Sequence, residues 1–84
     1  MLATVASVNS ANRLKKHLST RYNVQSRIIQ TPSSLTKEGC GYSIRFADKH
    51  KESVRLAAGE LRINIRSFYS EIKKDTIIVY EKEQ

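Results

Sequence analysis

Apolar residues in this chain alternate between two spacings, and the order of the changes leaves room for few folds. Ala11, Leu14, Leu18 and Tyr22 recur three and four residues apart, which lines one face of a helix. Tyr42, Ile44 and Phe46 recur two apart, interleaved with Ser43, Arg45 and Ala47, the pattern of a strand with one buried face. Val54, Ala57, Leu61 and Ile65 return to helical spacing. Around these, Met1 to Val8 reads as a first strand and Val24 to Gln30 as a second, centred on Ile28 and Ile29. Arg66 to Ile72 and Thr76 to Tyr80 form two further β-rich runs, joined as a hairpin by Lys73-Lys74-Asp75. The order is β-α-β-β-α-β with one strand added. That order predicts an α+β fold, a ferredoxin-like βαββαβ two-layer sandwich with an extra C-terminal strand.

Capping residues mark the boundaries. Asn9-Ser10 is the expected N-cap of the first helix and Asn23 its stop. Pro32 ends the second strand because proline cannot donate to a ladder. Ser33-Ser34-Leu35 is expected to form a single helical turn, and Asp48 to cap the second helix. Gly59 inside that helix either weakens it by about 1 kcal/mol relative to alanine or admits a close neighbour. Eighty-four residues make one domain. Its expected core spans 2–72, with the extra strand at 76–80 and a frayed tail at 81–84.

Charge narrows the partners without choosing one. The net charge is +7, and residues 1–40 hold Arg13, Lys15, Lys16, Arg21, Arg27 and Lys37 against one acid, Glu38. Such a surface attracts nucleic acid, an anionic group or an acidic protein. Arg13, Lys15, Lys16 and Arg21 form the expected partner-binding face around the first helix. RNA-recognition modules share the expected topology and need a strand reading K/R-G-F/Y-G/A-F-V-x-F/Y. Aligned on the glycines, this chain offers Glu38-Gly39-Cys40-Gly41-Tyr42-Ser43-Ile44-Arg45, with an acid for the base and no final aromatic. Base stacking on the sheet is therefore disfavoured, and Tyr42 and Phe46 are expected in the core, with Tyr69 and Tyr80 also packing. No apolar run reaches the roughly 20 residues of a membrane helix. With neither a secretory leader nor a second cysteine for a disulfide, the expected location is the cytoplasm.

Chemistry has one conspicuous candidate. Cys40 is the only cysteine, bracketed by two of the three glycines in Gly39-Cys40-Gly41. Glycines there permit a tight turn that leaves the sulfur uncovered. The topology predicts this loop beside the N-terminus of the first helix. Asn9, Ser10 and the helix amides would there favour a thiolate, Lys37 would add to the effect and Glu38 oppose it. His17 and His50 fall on helices, and His17 has basic rather than acidic neighbours in sequence, so no cysteine–histidine nucleophile pair is expected. Two histidines and one cysteine without close spacing argue against zinc. The remaining acids are scattered and expected in solvent, and no cofactor is implied.

These residues together resemble a family of small selenium/sulfur carrier protein-like domains. The resemblance rests on the short opening strand Leu2 to Ser7, on Thr31-Pro32-Ser33-Ser34-Leu35 through Cys40-Gly41, and on the alternating strand Tyr42 to Phe46. It covers about residues 2 to 72, while Lys37-Glu38-Gly39 is more charged than that pattern. It implies a companion of sulfurtransferase-type proteins in which Cys40 accepts persulfide sulfur or selenium, a carrier rather than an enzyme with its own turnover. The partner would be a protein that donates or accepts that sulfur. The alternative is a non-catalytic module binding RNA or an acidic protein through the helix-one face. A third reading is a subunit whose edge strand pairs with a partner.

Overall fold

The computed structural model describes residues 1–32, 35 and 41–83. The expectations for Ser33, Ser34, Lys37, Glu38, Gly39 and Cys40 lie outside the described residues. Within them the fold is α+β: a five-stranded antiparallel sheet and two helices. The elements are β1 (Leu2–Val5), α1 (Val8–Arg21), β2 (Arg27–Gln30), β3 (Tyr42–Arg45), α2 (Lys51–Leu61), β4 (Ser67–Lys74) and β5 (Ile77–Glu83). The sheet order is β2-β3-β1-β4-β5. Both helices are too short and too polar to cross a membrane.

The first strand stops at Val5 and not at Val8, because Ser7 rather than Asn9-Ser10 caps α1. Ser7 is extended (φ −143°) and its Oγ accepts from the Ser10 amide at 3.2 Å, which satisfies one of the open N–H groups of the first turn. Ala11, Leu14 and Leu18 are fully buried on the inner face of α1. The helix ends as expected at Asn23, whose φ of 53° turns the chain, while the Tyr22 and Val24 amides both close onto the Leu18 carbonyl.

Asp48 does not cap α2. Its carboxylate lies 3.1 Å from the Met1 ammonium, and residues Asp48–His50 form a 3-10 turn that leads into the helix without a side-chain cap. Val54 and Ala57 are buried as predicted. Arg62 adopts the left-handed conformation (φ 57°) and ends α2, so Ile65 packs against the core from the connection to β4 and not from the helix. Gly59 is exposed, and a Cβ there would meet nothing within 4 Å, which decides for the weak-helix reading and against a close approach.

Both helices pack on one face of the sheet against Ala3, Val5, Ile44 and Phe46, with Ile28 and Phe68 at the margins. The strand alternation held for Ile44 and Phe46, with Tyr42 half-buried against that core. On the other face, Leu2 is fully buried between Arg45 and Tyr69, its partners on either side in register. The expected frayed tail is instead paired: β5 runs to Glu83, with Glu81, Lys82 and Glu83 opposite Ser70, Tyr69 and Phe68. The hairpin turns tightly at Asp75 (φ 53°).

Candidate functional site

The connection between β2 and β3 is pinched at its base. The Thr31 amide donates to the Gly41 carbonyl at 3.0 Å, bringing the two ends of the Thr-Pro…Cys-Gly stretch together. Gly41 has φ 142°, a conformation nearly closed to other residues. A Cβ there would sit 3.6 Å from Thr31 Oγ1 and 4.0 Å from the Val5 carbonyl, so backbone shape rather than lack of room calls for glycine. The Thr31 and Ser43 hydroxyls, both buried, hydrogen-bond at 2.7 Å. This pair explains why Ser43, expected outward and in solvent, is buried: each hydroxyl satisfies the other beneath the loop base.

A cleft of about 130 Å³ opens there, lined by Thr4, Val5, Thr31, Leu35, Gly41, Arg66, Ser67 and Tyr69. It lies at the end of β1, where β2 leaves the sheet, β3 enters it and β4 begins. The start of β4 is fixed by the Arg66 amide on the Thr4 carbonyl (2.9 Å) and the Ser67 amide on Thr4 Oγ1 (3.0 Å). Among the described lining residues Arg66 carries the only charge. An exposed guanidinium above hydroxyl-bearing walls favours an anion.

The predicted site residues separate into groups. Gly41 lines the cleft; Asn9 and Ser10 lie in the first turn of α1 and do not line it. Arg13, Lys15, Lys16 and Arg21 are exposed around α1. Arg13 and Lys16 flank a shallow groove with Thr20 and Leu61, and Arg21 borders another with His17, Tyr22 and Glu60. Sequence reasoning missed Arg66, Thr4 and Ser67, because their approach to Gly41 depends on β1 pairing with β3 on one side and β4 on the other.

Glu60 is exposed as expected but paired, whereas Glu71, its side chain 13% exposed, departs from the expectation of solvated carboxylates. Glu60 accepts from Tyr22 Oη at 2.8 Å and lies 2.8 Å from His17 Nε2, joining α1 to α2. His17, basic-flanked in sequence, thus meets a carboxylate in space. The hydrogen bonds from His17 and Tyr22 hold the Glu60 carboxyl below its usual range, and the same carboxylate raises the Tyr22 phenol. Glu71 on β4 is mostly buried and bonds bidentately to Arg45 on β3, with Nε to Oε1 at 3.0 Å. The Met1 ammonium stands 3.4 Å from Glu71 Oε1 and donates to the Phe46 carbonyl at 2.9 Å. Hydrogen bonding from Arg45 depresses the Glu71 carboxyl despite the opposing effect of burial. Among the described residues no three His, Cys, Asp or Glu side chains cluster as metal ligands.

No curated protein and no solved structure matches the chain. The family described as "Putative Se/S carrier protein-like" matches residues 1–70, from β1 through the first half of β4 and across the whole Thr31–Gly41 connection. With most of its length matched, the chain belongs to that selenium/sulfur carrier-like family.

Proposed function

We propose that the chain carries sulfur or selenium on Cys40 and hands it between protein partners. The observation that carries this reading is the family match across residues 1–70, a span that includes the only thiol in the chain. A carrier that holds its cargo covalently needs such a group. In the proposed step the Cys40 thiolate attacks the outer sulfur of a donor persulfide. The donor S–S bond breaks, the donor thiolate leaves with the electron pair, and a persulfide forms on Cys40 with no net redox change. Unloading repeats the step with an acceptor thiolate attacking the outer sulfur of the Cys40 persulfide.

Several features support the reading. Gly41 adjoins Cys40 in the chain and lines a cleft whose described charge is the Arg66 cation, which favours an anionic thiolate or persulfide nearby. Gly39 and Gly41 would leave the sulfur open to a partner, with Lys37 adding positive potential. Arg13, Lys15, Lys16 and Arg21 offer a basic surface to an acidic donor or acceptor protein. A free thiol carrier fits a reducing compartment, the cytoplasm. The sheet order β2-β3-β1-β4 supports a ferredoxin-like βαββαβ sandwich with β5 appended.

The test is mass spectrometry of the intact protein after incubation with a cysteine desulfurase and cysteine, then with a selenium-delivering counterpart. Addition of one sulfur or selenium atom, located to Cys40 by peptide mapping and absent from Cys40→Ser, is the expected result. Failure to load under conditions that load an established carrier would overturn the proposal.

A further inference from the structure

β5 lies beyond the 1–70 family match; it does not line the cleft, but Ile78, Val79 and Tyr80 border a shallow pocket with Leu35, which does. The outer edge of β5 pairs with no strand among the described residues. It runs seven residues as Ile-Ile-Val-Tyr-Glu-Lys-Glu, without proline or glycine. Ile77 is 61% exposed and Ile78 46%. The first four residues of β5 carry no charge, and an exposed apolar edge of that kind recruits another strand, while Glu81, Lys82 and Glu83 restrict which register can form. A chain that follows residue 70 with such an edge presents a surface of its own.

We infer that β5 pairs antiparallel with β5 of a second copy of this chain, about a two-fold axis at Val79. A two-fold axis between antiparallel edges keeps like faces together, so the helices of both copies stay on one side. With Val79 on the axis, Ile78 stands opposite Tyr80 of the second copy and Tyr80 opposite its Ile78. Both residues lie on the helix-free face, level with Lys73 and Glu71 in the β4 register. Aromatic and β-branched side chains pair well across strands. On the helix side Ile77 is flanked by Lys74 of its own β4 and by Glu81 of the second copy. Their opposite charges meet over the most exposed isoleucine, once in each half of the interface. Shifting the axis to Tyr80 would instead place Ile78 between Lys73 and Lys82 of the second copy, like charges around an apolar group. In the Val79 register the like-charged Asp75 and Glu83 come level only at the outer ends, where solvent screens them. One strand pair is at the small end of stable interfaces, below about 1,200 Å², so the dimer is a reversible one.

Sedimentation velocity over a concentration series tests the association. The full chain should move from monomer to dimer with rising concentration, and Ile78→Lys, at an exposed position and with unchanged circular dichroism, should weaken association at least about tenfold. A wild type that stays monomeric at millimolar concentration, species beyond dimer, or a dimer untouched by Ile78→Lys would overturn the inference. Register is tested in the Cys40→Ser background. Val79→Cys should cross-link to a covalent dimer on mild oxidation, since residues facing across antiparallel strands lie within disulfide reach. Stronger cross-linking by Tyr80→Cys would overturn the register.

Discussion

The two edges of the sheet have opposite characters. β2 is four residues long, carries exposed Arg27 and Gln30 at its ends, and is followed by Pro32. Its Ile28 packs into the core below the helices. β5 is seven residues long, and four uncharged residues open it with two isoleucines in solvent. One edge closes the sandwich beside the cleft that adjoins Gly41. The other extends the sheet past the buried core, which contains no residue beyond Phe68. The contrast teaches that the packed core and the cleft lie toward the β2 side, whereas β5 carries the sheet past the core as an edge, the place of the proposed association.

The sharpest way to break this comparison is to substitute one residue in the core and one at the β5 edge. Leu18 is fully buried on α1, and Leu18→Ala should cost about 2–5 kcal/mol through lost burial and a residual cavity. Ile78→Lys at the β5 edge should cost less than about 0.5 kcal/mol in the monomer. Urea denaturation at a concentration low enough to keep the protein monomeric measures both. Equal losses would erase the distinction.

Glycines give the next largest contrast. Gly41→Ala should destabilise by about 1–3 kcal/mol because its positive φ is costly for a residue with a Cβ, even though space is available. Gly59→Ala should stabilise by about 0.5–1 kcal/mol, since it fills open space on a helix and lowers the entropy of the unfolded chain. Thermal melts read both signs, and a neutral Gly41→Ala would remove the backbone argument for the loop base.

A modest effect, confined to low pH, joins the two sides of the sheet. Glu71 on β4 reaches past β1 to Arg45 on β3, and its carboxyl is depressed in the folded state. The ion pair therefore contributes fully above the unfolded pKa of about 4.3 and is lost as pH falls through the lower folded value. Arg45 is 43% exposed, so the contribution is about 1 kcal/mol or less. Glu71→Gln should flatten the acid limb of the stability–pH curve. An unchanged limb would show that other carboxylates govern it.

Element order was legible in the sequence because helical and strand periodicities alternate cleanly, as at Leu14 and Leu18 against Ile44 and Phe46. Boundaries were less so, where competing caps stood close together: Ser7 took the role expected of Asn9-Ser10, and Asp48 bound an ammonium instead of capping α2. The length of β5 was hidden because Glu81, Lys82 and Glu83 look like a solvated tail until β4 supplies partners. Gly41 stood out from its setting. Arg66, Thr4 and Ser67 did not, since only tertiary pairing brings them to the cleft, just as it brings Glu60 to His17.

The most direct measurement is sulfur loading compared across three proteins: wild type, Cys40→Ser and Ile78→Lys. After incubation with a cysteine desulfurase and cysteine, peptide mass spectrometry should find one added sulfur on Cys40 in wild type and in Ile78→Lys, and none in Cys40→Ser. An unloaded wild type, or loading that persists without Cys40, would contradict the assignment of carriage to this thiol.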